Sequence, residues 1–298
     1  MIVAGCWQSR AAKARMARFL HDARRPQALT RVYCVSDIHF DHPTADEWVY
    51  SISARKFQDD VLVVAGDVAD NHHKLRTCLR HLRAKFRRVF FTPGNHDLWI
   101  HTSEANDFQD SMEKLFHLLQ LCDEIDVDVF PAALCEDLYL VPLFSWYNSD
   151  YDEDDPFPST RLEFDKYCKW PMDPNQKVWR YMMYLNHKFL EMPRRGTNIT
   201  FSHFLPRQGL PFSTWVAGLV KAVGCPQLDS QVREAGSSCH VFGHTHMRCN
   251  KVMDSVRYVQ NPLGYKNEHG ADDPLWCIFD GSKGGLVCDS RHLFKPDR

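Results

Sequence analysis

Thr92-Pro93-Gly94-Asn95-His96-Asp97 follows directly on Val89-Phe90-Phe91, a short run of strand formers, and its reading decides the fold. A β-rich run broken by Pro-Gly is a strand that stops abruptly. It delivers Asn95, His96 and Asp97 to the rim of a sheet, where loops carry chemistry. A lone Gly-Asn-His-Asp turn looks the same as any surface turn that happens to hold a histidine. Its weight comes from what stands at the ends of the other strands.

Upstream, Val32-Tyr33-Cys34-Val35 reads as a strand ending in Ser36-Asp37-Ile38-His39. On an extended backbone the i, i+2 spacing of Asp37 and His39 points both side chains to one side. Thr44-Ala45-Asp46-Glu47 has the form of a capping box opening a helix through Trp48, Val49 and Ile52. Val61-Leu62-Val63-Val64 is apolar on both faces, as a central covered strand should be, and ends in Gly66-Asp67. Leu75, Cys78, Leu79, Leu82 and Phe86 then mark one face of a helix. This alternation predicts a sheet with crossover helices, in which ligands gather beyond the strand C-termini.

Downstream, Phe108, Met112, Leu115, Phe116 and Leu119 predict another amphipathic helix, and Leu138 to Leu143 a strand. Residues 147–197 break the rhythm with the acidic run 150–155, Pro156, Pro158 and a helical stretch around Trp179, Met182, Met183 and Leu190. They are expected to form a cap inserted in the domain. Strands resume at Ile199-Thr200-Phe201, ending in Ser202-His203, and at Val241-Phe242, ending in Gly243-His244-Thr245-His246. Val256 to Val259, Trp276 to Phe279 and Leu286 to Cys288 crowd behind them and predict a second, meandering sheet packed on the first.

Composition sets the outer limits. With 298 residues, 44% hydrophobic and 25% charged, the chain can bury a sizeable core, and no apolar run is long enough to span a bilayer. A formal charge of −2 gives no global reason to expect nucleic acid or an anionic membrane as partner. The 11 cysteines are odd in number, with no Cys-x-x-Cys pair, and Cys34, Cys239 and Cys277 lie in apolar runs. That pattern reads as buried thiols in a reducing, cytoplasmic setting. Residues 1–30 carry Arg10, Lys13, Arg15, Arg18, Arg24 and Arg25 against Asp22 alone. We read them as a basic helical extension of a domain spanning 31–298, with an organelle-targeting presequence as the alternative.

Five strands thus end in potential ligands: Asp37 and His39, then Asp67, Asn95, His203, and finally His244 and His246. Two carboxylates, one amide and four imidazoles exceed what one divalent ion with open positions requires, so two ions fit better. Asp67 is the natural bridge between them. Oxygen and nitrogen donors suit manganese, iron or zinc alike.

Asp37-x-His39, Gly66-Asp67-x-x-Asp70, Gly94-Asn95-His96-Asp97, His203 and Gly243-His244-x-His246 resemble, in order, the motif blocks of the calcineurin-like metallophosphoesterase superfamily. The blocks span 37–246, and the flanking strands extend the likeness over 31–290. The resemblance implies an α/β fold of two packed mixed β-sheets flanked by helices, an α/β/β/α sandwich. It implies one ion on Asp37, His39, Asp67 and His246, and another on Asp67, Asn95, His203 and His244. A metal-bridging hydroxide would then hydrolyse a phosphate mono- or diester. His96, beside the ions, would protonate the leaving alkoxide or bind a phosphoryl oxygen, and Asp70 would orient it. A helix N-cap is the structural alternative for Asp70. The Ser/Thr protein phosphatases of the superfamily carry Arg-Gly after the second aspartate. Here Asn71-His72 stands instead, which argues against that branch. Arg207 is the nearest replacement cation by sequence, unless it is tied up in a salt bridge. The other histidines, His42, His72, His73, His101 and His187 among them, read as surface or satisfied core residues. A non-catalytic scaffold on the same fold is the second function class. Retention of His96 with a full ligand set favours the enzyme.

Overall fold

The computed structural model describes residues 22–148, 151, 165–173, 177–213, 219–266, 268 and 275–287. Most of the expected basic extension, residues 1–21, lies outside them, as do Cys288 and all of the acidic run except Tyr151.

Three strands, β1 (Arg31–Val35), β2 (Val61–Ala65) and β3 (Arg88–Thr92), run parallel. Two crossover helices connect them, α1 (Pro43–Ser51) and α2 (His72–Lys85). After α3 (Ser111–Glu124) come β4 (Ala132–Cys135) and β5 (Leu138–Pro142). Helix α4 (Trp179–Leu190) leads to β6 (Thr197–Phe201), and α5 (Leu228–Glu234) to β7 (Ser237–Phe242). The chain closes with β8 (Cys249–Met253), β9 (Val256–Gln260), β10 (Trp276–Asp280) and β11 (Gly285–Leu286). One sheet has the order β11-β10-β1-β2-β3 and the other β4-β5-β6-β7-β9-β8.

The period of two along the strands explains the layering. Val32, Cys34, Val61, Val63 and Phe90 join Leu138, Leu140, Ile199, Phe201, Cys239 and Val241 in a core between the sheets. Their neighbours Tyr33, Val35, Leu62, Val64, Val89 and Phe91 belong to the core shared with Leu75, Leu79 and Leu82 of α2 and with Phe86 just past its end. Two mixed sheets with helices on their outer faces match the expected fold class. Nine cysteines among the described residues are free, eight of them buried. No described helix is long and apolar enough to cross a membrane.

Several local expectations need correction. Helix α1 is entered from His42 with Pro43 at its first turn, and no side chain caps it, so Thr44 does not act as the start of a capping box. Proline fixes φ where the missing N–H costs nothing, which moves the N-cap two residues upstream, from Thr44 to His42. The late strands do not form one meander. β10 and β11 return to the first sheet, with β10 antiparallel to β1, while β7 and β9 pair in parallel within the second. Helix α4 is the crossover between the parallel pair β5 and β6, and it buries Met182, Leu185, Phe189 and Leu190.

Candidate active site

The parallel strands of both sheets stop along one rim. Asp37 and His39 follow β1, Asp67 follows β2, Asn95 and His96 follow β3, His203 follows β6, and His244 and His246 follow β7. The loops are knitted to one another by backbone bonds. Asp37 N–H donates to Gly66 O at 3.0 Å, His39 N–H to Asp67 O at 3.0 Å, and Gly243 N–H to His203 O at 2.9 Å. Ser36 bridges to Pro262, so the ends of β1 and β9 tie one sheet to the other.

These loops do not continue the strands as extended chain. Asp37, His39, Asp67, His244 and His246 have φ of 51°, 48°, 54°, 78° and 54°. That left-handed region resists a Cβ, and side chains held there concentrate at functional sites. Asp37 and His39 reach one centre through two such turns, not through the alternation of an extended strand. Two glycines leave room for the centre. A Cβ on Gly94 would lie 2.1 Å from Asp67 Oδ1, and one on Gly66 would lie 2.4 Å from His203 Nδ1.

All seven candidate ligands converge. His203 Nε2 lies 3.2 Å from Asp67 Oδ2 and 3.1 Å from Asn95 Oδ1, and His244 Nδ1 lies 3.1 Å from the same amide oxygen. On the other side His39 Nε2 and His246 Nε2 are 3.1 Å apart, with Asp37 Oδ1 3.5 Å from His246 Nε2. The donor atoms of Asp37, His39 and His246, and those of Asp67, His203 and His244, each fall within 4.8 Å of one another.

The chemistry of this donor set fits divalent cations. Each of three imidazoles spends one nitrogen away from the centre. His203 Nδ1 donates to Ala65 O at 2.9 Å, His244 Nε2 donates to Ala222 O at 2.8 Å, and His246 Nδ1 faces Glu268 Oε2 at 2.6 Å. A carbonyl only accepts, so neutral His244 turns the lone pair of Nδ1 toward the centre, and His203 Nε2 can do so on losing its proton. Burial holds His39 and His244 well below the usual histidine range, which keeps them neutral. Burial would also lower His203, but the Asp67 carboxylate outweighs it and raises His203 to about 9. Burial would raise Asp67, yet His203 and His96 hold it well below the carboxylate range. Among the described residues neither Asp37 nor Asp67 is paired with a lysine or arginine. The negative field that keeps a proton on His203 is equally a field for a metal ion.

His96 stands beside this cluster, its Nε2 4.0 Å from Asp67 Oδ2 and its Nδ1 2.6 Å from Asp70 Oδ1. Asp70 does not cap α2. Asn71 does, accepting from the N–H groups of His73 and Lys74. The other Asp70 oxygen lies 3.1 Å from His101 Nε2, so His101 belongs to this network and not to the general surface. Arg207 is committed to Asp254 at 2.8 Å.

Further contributors carry no motif. Buried Lys114 of α3 donates to the carbonyls of Asp70 and Trp99 and pairs with Glu104. Tyr265 stacks on His39 with ring centroids 4.6 Å apart. Trp99 packs against His96 at 3.6 Å between centroids. Only the adjacency of Trp99 to the Asn95-His96 turn hinted at any of these.

Comparison with known proteins gives the family. The profile of the calcineurin-like phosphoesterase family matches residues 30–248. The chain is 27% identical over 270 residues to the [acyl-carrier-protein] phosphodiesterase PptH of Mycobacterium tuberculosis, covering 80% of this chain and 78% of that one. The crystal structure of phosphopantetheinyl hydrolase (PptH) from Mycobacterium tuberculosis superposes with a TM-score of 0.67 at 22% identity, over 81% of this chain and 92% of that one. The chain therefore belongs to the calcineurin-like phosphoesterase family, the metal-dependent hydrolases of phosphoric esters.

Proposed function

We propose that this protein hydrolyses a phosphodiester at a centre of two divalent ions, and that its substrate class is a phosphopantetheinylated carrier protein. The observation that carries the hydrolytic reading is the convergence of seven donors from both sheets with His96 at their edge. The diester and the carrier protein are taken from the relative named an acyl-carrier-protein phosphodiesterase, which this chain matches over most of both lengths.

Asp37, His39, Asp67 and His246 would hold one ion, and Asp67, Asn95, His203 and His244 the other. When bound, such ions supply Lewis acidity toward phosphoryl oxygens and an activated water. The protein's own groups then set direction. Asp70 engages His96 Nδ1 at 2.6 Å, which leaves Nε2 to donate. From there His96 would deliver its proton to the departing alkoxide as the P–O bond breaks. Trp99, packed on the imidazole, limits its rotation. The substrate-selecting cap expected over residues 147–197 remains part of this proposal, and residues 149–150, 152–164 and 174–176 of it lie outside the described residues.

The test compares purified protein, stripped of metal and reloaded with manganese, on a phosphopantetheinylated carrier protein, an aryl phosphodiester and the matching monoester. Preferential cleavage of the diesters is expected, and His96→Ala should lower kcat by about 10²- to 10⁴-fold. Preference for the monoester would overturn the substrate reading. Absence of metal-dependent turnover on all three would move the protein to the scaffold class.

A further inference from the structure

We infer that Asp165, carried by the segment between β5 and α4, is a positioning residue that fixes the Asn95 side chain for the metal centre. The inference rests on the two-ion reading above and deepens it: a residue of the expected insertion becomes part of the support of the metal site. Asp165 is 9% exposed. Its Oδ1 accepts from Asn95 Nδ2 at 2.8 Å and from Trp99 Nε1 at 2.8 Å.

A primary amide has one accepting edge and one donating edge, and its terminal torsion is soft. An unheld Asn95 could therefore turn its NH₂ toward the ions and remove a ligand. With the NH₂ engaged by Asp165, the Asn95 oxygen can only face His203 Nε2 and His244 Nδ1, each at 3.1 Å. The same carboxylate oxygen holds Trp99, whose ring packs on His96. One atom of the inserted segment thus anchors both a candidate ligand and the support of the candidate acid.

Asp165 is not needed for its own turn. The Cys168 N–H closes that turn on the Asp165 backbone oxygen at 2.9 Å. The described stretch 165–173 is also fastened at Tyr167 and Lys169. Ile100 N–H donates to Tyr167 O at 3.0 Å, Ser111 N–H to Lys169 O at 2.7 Å, and Lys169 N–H to Ser111 Oγ at 2.9 Å. Asp165 is therefore held against the Asn95 loop by bonds independent of its side chain.

The experiment titrates metal-free full-length protein with Mn²⁺ by calorimetry and counts bound ions by elemental analysis. It uses wild type, Asp165→Ala, Asp165→Asn and Asn95→Ala. Asp165→Ala is expected to weaken the second ion by about 10- to 100-fold. Asp165→Asn keeps an accepting oxygen and should stay near wild type. In the Asn95→Ala background, Asp165→Ala should cause no further loss, because it acts through Asn95. A folded Asp165→Ala that binds both ions as wild type does would overturn the proposal, and so would a further loss in that background. NMR of ¹⁵N-labelled wild type gives a reading that needs no variant to fold. Slowly exchanging Asn95 side-chain protons are expected, and freely exchanging ones reject the hydrogen bond. Wild type that takes up a single ion would instead overturn the two-ion reading and leave the NMR to decide Asp165.

Discussion

The Asp97 carboxylate lies beneath Asp67 and accepts its backbone N–H at 2.9 Å. Fully buried, it also takes the N–H groups of Val68, Ala69 and Gly94 at 2.8, 3.1 and 2.8 Å, so one side chain clamps the turns after β2 and β3. Asp97→Ala would strand four buried donors. A loss of about 3–5 kcal/mol is expected from urea unfolding of the metal-free protein, since each unmet donor costs more than a bond contributes.

Asp70 and His101 should separate in kinetics. Asp70 touches His96 directly, at 2.6 Å, and His101 bonds to the far oxygen of Asp70, at 3.1 Å. Asp70→Ala is expected to lower kcat by about 10- to 100-fold with little change in KM, and His101→Ala by no more than about 5-fold. Steady-state kinetics on the preferred diester checks the order. Equal effects would show that the chain of contacts is not graded.

His240 gives the fold an acid sensitivity distinct from that of the site. Burial holds it down to about 3, with the ring between Thr200 Oγ1 at 2.7 Å and Ser202 Oγ at 3.0 Å. The folded pKa lies below the unfolded value of about 6.5, so the unfolded chain binds the extra proton between those two values. Stability is therefore full above about pH 6.5 and falls by about 1.4 kcal/mol per unit as the pH drops toward 3. Urea midpoints at pH 7 and pH 5 should differ more in wild type than in His240→Phe. Equal differences would place the sensitivity elsewhere.

Metal removal should be visible as a loss of stability. Asp37 and Asp67 are 0% and 1% exposed, and they face each other's histidines without a lysine or arginine partner among the described residues. Ions that bind only the folded chain at about 100 times Kd would add about 2.7 kcal/mol. Thermal melts with a chelator, and again with added Mn²⁺, should bracket that change. Identical melts would argue against resident ions.

The parallel strands and their terminal motifs were legible because each block is contiguous: an apolar run of four or five residues followed at once by Asp, Asn or His. Partner choice was not. β10 pairs with β1 across more than half the chain, as in Arg31 opposite Asp280, and nothing local to Trp276–Asp280 records it. β4 and β8 escaped notice, the latter because Asn250 and Lys251 leave it an exposed edge with little apolar signal. The site divides in the same way. Its inner ring lies in motifs, whereas Asp165, Lys114 and Tyr265 act at distances in sequence that no motif spans. Asp70 and Asn71 illustrate the limit at one-residue scale. Either could cap a helix, and the pull of His96 and His101 on Asp70 left the cap to its neighbour.

The five candidate ligands in left-handed backbone place this chain under an evolutionary tension. At each of these positions glycine would relieve a strain of about 1 kcal/mol or more and at the same time delete a candidate metal donor. Selection for a hardier protein and selection for a working one therefore pull the same five codons in opposite directions. A lineage released from its chemistry should drift toward glycine there first, and its descendants should be the sturdier ones.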